Sequence, residues 1–82
     1  MNSVGIDVSK GRSTVAVMRP FGEVVISPFE VRHTNSELSA LARLLKSLDG
    51  ETRVVMEATE NYHTPVAKVL HDARLYVSVV HA

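Results

Sequence analysis

Apolar and polar positions along the chain recur with two periods, two residues and about three and a half, and they divide it into seven elements. Val4, Ile6 and Val8 alternate with Gly5 and Asp7, which predicts a strand over Ser3–Val8. Ser9-Lys10-Gly11-Arg12 is a polar break, and Thr14–Arg19, rich in β-branched residues around Val15 and Val17, predicts a second strand. Pro20-Phe21-Gly22-Glu23 has turn chemistry, with proline presetting φ and Gly22 free to take a positive one. A third strand follows from Val24 to about Val31. Pro28 inside it cannot donate to a sheet ladder, so this strand is expected at an edge or at a bulge. Thr34-Asn35-Ser36-Glu37 matches a capping box, and Leu38, Leu41, Leu45 and Leu48 then form one helical stripe that Asp49-Gly50 is expected to end. Thr52–Met56 reads as a short strand. Its consecutive Val54, Val55 and Met56 predict burial on both faces. A second helix is expected to begin between Asn61 and Thr64, with Pro65 in its first turn and Val66, Val69, Leu70 and Ala73 inward. Leu75–Val80 predicts the last strand.

The order β-β-β-α-β-α-β implies an antiparallel meander, because short turns cannot make parallel joins, followed by two parallel strands linked through a helix. The fold class is therefore α/β or α+β with a mixed five-stranded sheet, in one domain over residues 1–82. The 45% hydrophobic composition is that of a globular chain. Without cysteine there is no disulfide framework, thiolate zinc site or cysteine nucleophile. Nine basic and nine acidic residues cancel, so net charge supplies no grip on nucleic acid or anionic membrane. No apolar run approaches a membrane span and no signal peptide opens the chain, so a soluble, cytoplasmic protein is expected.

Candidate chemistry starts with two acids. Asp7 lies near the end of the first strand, and Glu57 follows the apolar run of the fourth. If those strands are parallel neighbours, both carboxylates emerge at the carboxyl end of the sheet, where open α/β sheets place ligands. Paired carboxylates in a cleft repel unless a cation arrives, and Mg²⁺ or Mn²⁺ suits oxygen ligands. An acid at a strand end is also an ordinary turn former or exposed charge, and spacing alone does not make the strands adjacent.

The runs Val4-Gly5-Ile6-Asp7-Val8-Ser9-Lys10 and Val55-Met56-Glu57-Ala58-Thr59-Glu60-Asn61-Tyr62-His63-Thr64-Pro65-Val66-Ala67 resemble the amino-terminal part of the DEDD family of bacterial insertion-sequence transposases. The resemblance continues through Val77-Ser78-Val79-Val80. It implies a RuvC-like, RNase H-like domain with strand order 3-2-1-4-5, truncated here, from a recombinase guided by a structured RNA. Asp7 and Glu57 would match the first two acids of the family's metal-binding, catalytic tetrad. The family's remaining two acids and its serine-bearing carboxy-terminal domain would lie beyond Ala82. The implied function is DNA transposition, by strand cleavage and joining in the full-length protein. With half a tetrad this chain is expected to bind Mg²⁺ or Mn²⁺ weakly and to be inactive alone. The sequence departs from the family pattern in three places: Glu60 and Arg74 stand where glycine is usual, and the dipeptide His81-Ala82 replaces Asn-Pro.

Lys10 and Arg12, in the loop beside Asp7, could reach a nucleic-acid phosphate or simply form a solvated hairpin. Asn61 and Tyr62 match the family pattern, and Tyr62 could stack on a base or pack on the sheet. His33, His63, His71 and His81 have no ligand spacing, and Ser9, Ser13 and Thr14 have no triad partners. Two other functions compete. One is a non-catalytic remnant that self-associates or binds nucleic acid. The other is an actin-like or sugar-kinase ATPase half-domain, which Ser9 disfavours because glycine is usual two residues after the strand aspartate. Two helices can cover only one sheet face, so the other is expected to stay open and apolar and to support a homodimer.

Overall fold

In a computed structural model of the protein, residues 1–58 and 60–81 are described. Thr59 and Ala82, both part of the motifs above, lie outside the described residues. The elements are β1 (Asn2–Ser9), β2 (Arg12–Arg19), β3 (Glu23–Arg32), α1 (Asn35–Lys46), β4 (Thr52–Ala58), α2 (Thr64–Asp72) and β5 (Tyr76–His81). They form one five-stranded sheet in the order β3-β2-β1-β4-β5. β1–β2 and β2–β3 pair antiparallel, as their short connections require, β4–β5 pair parallel through the α2 crossover, and β1–β4 also pair parallel.

β3 is an edge strand and is also irregular. Val15 faces Phe29 while Val17 faces Ile26, so β3 has one more residue than β2 in that interval, and Pro28 lies in it. The β1–β2 connection is only Lys10 and Gly11. Gly11 takes a φ of 75°, the positive value such a turn needs at its second position. Between β2 and β3 the sequence implies a positive φ for Gly22 alone, yet Phe21 also adopts one, at 64°.

Alternation sets the layers. Val4, Ile6, Val8, Val15, Val17, Val54, Met56 and Ala58 point to one face and are buried there beneath both helices. Leu38, Leu41 and Leu45 of α1, with Val66 and Leu70 of α2, complete this core. The opposite face is open, and Val55 is 48% exposed between two fully buried neighbours. The expectation of a strand buried on both faces is therefore corrected: an apolar triplet has no period, and only the position of the helices tells which face is covered. Met18, Val24, Tyr76 and Val80 are exposed with Val55 on this open face.

The helix ends follow local chemistry, with two differences from expectation. Thr34 caps α1 by accepting from the Glu37 amide at 3.3 Å, but the Glu37 carboxylate accepts from the Arg32 amide at 3.0 Å instead of completing a reciprocal box. α1 stops at Lys46, before Asp49-Gly50. The Ser47 hydroxyl donates to the Leu44 carbonyl at 2.6 Å, and Gly50 takes its positive φ of 83° in the loop that follows. α2 ends in a Schellman motif. The Arg74 amide donates to the His71 carbonyl at 2.9 Å and the Leu75 amide to the Leu70 carbonyl at 3.1 Å, with both leucines buried.

Arg74 occupies the left-handed position of that motif, at a φ of 66°, and Glu60 takes 58° in the turn before α2. Both conformations explain why glycine suits these positions. Arg74→Gly removes the steric cost of a Cβ at positive φ, partly offset by the greater freedom of glycine in the unfolded chain. A stability gain of about 0.5–1 kcal/mol is expected, read as a higher urea midpoint. A lower midpoint would contradict this account of the turn.

Candidate functional site

Asp7 and Glu57 are register partners across the parallel β1–β4 pair, so their strands run side by side about 4.8 Å apart. Each lies one residue before an inward-facing apolar position, Val8 or Ala58, so both point to the open face. Parallel direction puts them at the same, carboxyl, end of the sheet. The positions beside them are small or short. Gly5 pairs with Ala16, and Asp7 pairs with Thr14. A recess of about 290 Å³ results, bordered by Asp7, Glu57, Gly5, Thr14, Ala16 and Pro28. A Cβ at Gly5 would meet nothing within 4 Å, so glycine there leaves space and does not relieve a clash.

Adjacent carboxylates offer hard oxygen donors, which fit Mg²⁺ or Mn²⁺ better than softer ions. Among the described residues no group of three His, Cys, Asp or Glu could hold a metal ion. The pair would therefore leave most of a coordination shell to water.

The other residues singled out from sequence lie around this end of the sheet without bordering the recess. Lys10 is in the β1–β2 turn. Arg12 begins β2 and sits 3.8 Å from Glu30 on β3 with both side chains largely exposed, a contact of small energetic weight. Asn61 and Tyr62 belong to the turn before α2. The Asn61 carbonyl accepts from the Thr64 amide at 3.3 Å and its hydroxyl at 3.1 Å, so its backbone shapes the start of that helix. Tyr62 is 38% exposed.

Three groupings had no signal in the sequence, because each joins residues far apart along the chain. The Ser13 hydroxyl lies 2.7 Å from His33 Nε2, but Ser13 is buried beneath the helices, so the pair ties β2 to the segment before α1. Burial lowers the His33 pKa below its usual value. Asn2, fully buried, binds three side-chain and backbone partners at the opposite end of the sheet. His63 and His81 meet with ring centroids 5.2 Å apart, although their positions in sequence have no ligand spacing.

Residues 4–82 match the family DEDD_Tnp_IS110, described as transposase. No curated protein matches the chain. Among solved structures, RuvC from Thermus thermophilus is similar at 17% identity and a TM-score of 0.66, covering 99% of this chain and 62% of that one. Pelota from Archaeoglobus fulgidus is similar at 19% identity and a TM-score of 0.63, with 99% of this chain and 26% of that chain covered. A ROK family protein from Streptococcus pneumoniae, in complex with sucrose, follows at 15% and 0.57, with 99% and 34% covered. At these identities the likeness is one of fold. It establishes the RNase H-like arrangement, and this chain spans less than two thirds of each of those proteins. No helix among the described residues is long and apolar enough to cross a membrane.

Proposed function

Because this chain belongs to the DEDD_Tnp_IS110 transposase family, we propose that it is the amino-terminal part of a metal-dependent DNA transposase or recombinase, inactive by itself. The observation that carries this reading is the register pairing of Asp7 with Glu57 on the open face, at the carboxyl end of the sheet. Asp7 and Glu57 would hold Mg²⁺ or Mn²⁺, and a bound divalent ion supplies polarisation of a phosphodiester oxygen and stabilises developing charge. The role of the two carboxylates is to fix that charge at one point above the recess. Gly5 and Ala16 keep the space beneath it free for substrate. In this reading DNA is the substrate, a structured RNA the guide, and Lys10, Arg12, Asn61 and Tyr62 the residues nearest the nucleic acid. Two carboxylates are too few for a tight site or a complete catalytic one, which is why cleavage is assigned to a longer assembly.

A manganese titration tests this. The unaltered protein is expected to bind Mn²⁺ saturably, with a Kd of about 1 mM, and Asp7→Asn or Glu57→Gln to weaken binding at least about tenfold, roughly 1.4 kcal/mol. Without metal, Asp7→Asn is expected to leave stability unchanged or raise it by about 0.2–1 kcal/mol, because like charges on facing positions repel. That distinguishes a lost ligand from a lost fold. No binding up to several millimolar Mn²⁺ would remove metal from the proposal and leave a non-catalytic module.

A second reading, self-association as a homodimer, is favoured by the exposure of Met18, Val24, Val55, Tyr76 and Val80 on one face. Sedimentation at micromolar concentration measures it, and a monomer would sink it.

A further inference from the structure

We propose that β5 is the edge on which a second copy of this chain docks, the two β5 strands pairing antiparallel about a twofold axis at Ser78. This rests on the self-association reading above and names its surface. The sheet has two edges, β3 and β5, and they are built differently. β3 carries Glu23, Glu30 and Arg32, contains Pro28 and shifts register against β2. Charge, proline and bulges are the devices that keep an edge strand from pairing. β5 has none of them. Tyr76-Val77-Ser78-Val79-Val80-His81 lacks proline, Asp, Glu, Lys and Arg, and its register with β4 is unbroken. Its outer side has no strand partner among the described residues.

The strand is complementary to itself. Rotation about an axis normal to the sheet at Ser78 sets Tyr76 opposite Val80 of the second copy, and Val77 opposite Val79. Each pair occurs twice. Tyr76 and Val80 lie on the open face, 62% and 49% exposed, and pairing covers each with the other. An aromatic side chain against a β-branched one is a favourable cross-strand pair. Val77 and Val79 lie on the helix side, where both border the recess beside α2.

Charge agrees with this register. Arg53 is the β4 partner of Tyr76, and Glu57 that of Val80. Each outer row across the joined sheets therefore runs Arg53, Tyr76, Val80, Glu57, with a cation at one end and a carboxylate of the other copy at the other. The Arg53 guanidinium already leans over the Tyr76 ring, 5.3 Å from its centroid. A twofold axis along the strands would instead set each side chain beside one pointing to the opposite face, against the pleat, so the symmetric pairing is antiparallel. An edge that pairs with itself closes at two copies. Six residues a side make an interface below about 1,200 Å², so a weak dimer with a Kd of about 10–100 µM is expected.

Disulfide trapping tests the register, because the chain has no cysteine of its own. Across the axis the two Ser78 Cα atoms would lie about 4.5–5.5 Å apart, within the roughly 4.4–6.8 Å of a disulfide. The two Val55 Cα atoms, three strand spacings of about 4.8 Å apart, would be out of reach. At about 100 µM chain under mild oxidation, Ser78→Cys is expected to form a covalent dimer at least about tenfold faster than Val55→Cys. Mixed Tyr76→Cys and Val80→Cys proteins are expected to cross-link to each other faster than either does to itself, which reads the same register should Ser78→Cys not fold. Sedimentation of the unaltered protein accompanies the trapping. A monomer up to 1 mM would overturn both this proposal and self-association. A dimer whose Val55→Cys form cross-links as fast as Ser78→Cys, or whose Tyr76→Cys and Val80→Cys forms show no preference for each other, would overturn the β5 edge alone.

Discussion

Asn2→Ala is expected to destabilise the protein by about 2–4 kcal/mol, a large share of the roughly 4–12 kcal/mol typical for a chain of this length. The Asn2 side chain is fully buried at the amino end of the sheet. Its amide donates to the Asp49 carbonyl at 2.7 Å and to the Thr52 hydroxyl at 3.2 Å, and its carbonyl accepts from Arg19 Nε at 3.1 Å. One side chain thus ties β1 to the loop after α1, to β4 and to β2. Alanine removes all three bonds and leaves the partners to find water in a packed region. The cost exceeds that of an ordinary surface hydrogen bond because donors and acceptors stay behind unpaired. Urea unfolding followed by circular dichroism reads it. With a slope of about 1 kcal/mol per molar, the midpoint falls by about 2–4 M. Asn2→Asp keeps the acceptor for Arg19 but sets a carboxylate against the Asp49 carbonyl, so it is expected to cost at least as much. A loss below about 0.5 kcal/mol for Asn2→Ala would mean that the network does not hold the strands together.

The second large effect contrasts two neighbours on β4. Met56 is fully buried under the helices, and Met56→Ala is expected to cost about 2–5 kcal/mol through lost transfer energy and the cavity left behind. Val55, 48% exposed on the other face, is expected to accept Val55→Thr within about 0.5 kcal/mol, since threonine is also β-branched and suits a strand. The same unfolding experiment measures both. A cost above 2 kcal/mol for Val55→Thr would show that the open face is covered in solution, as self-association through that face requires.

That contrast marks what could be read from the chain alone. The period-two runs around Val4, Ile6 and Val8 and around Val15 and Val17 identified strands, because alternation reports a sheet with one buried face. The leucine stripe and the Thr34 cap identified α1, and Pro28 placed β3 at an irregular edge, because a missing donor has few tolerable positions in a sheet. The triplet Val54-Val55-Met56 misled, since a run without a period does not tell which of its members faces outward. Asp49-Gly50 misled as well: Ser47 ends α1 first through its own hydroxyl, and glycine then serves the loop.

Asp7 and Glu57 were legible as acids near strand ends, each after apolar neighbours, and the family resemblance supplied the strand order between them. The register that makes them direct neighbours is a property of the folded sheet. It depends on β4 inserting beside β1 after a connection through α1, at a sequence separation over which local pattern carries no information.

By itself, then, the sequence determined the elements, their order, the direction of the strand pairs joined directly by a short turn or a helix crossover, and the two acids worth attention. These follow from interactions spanning a few residues: turn chemistry, side-chain periodicity and helix capping. Only the tertiary structure decided which sheet face is open, that Asn2 joins β1 to β2, β4 and a loop, that Ser13 meets His33, and that His63 meets His81. Those outcomes rest on contacts between residues 17 to 50 positions apart, whose geometry is set by the packing of both helices onto one face of the sheet.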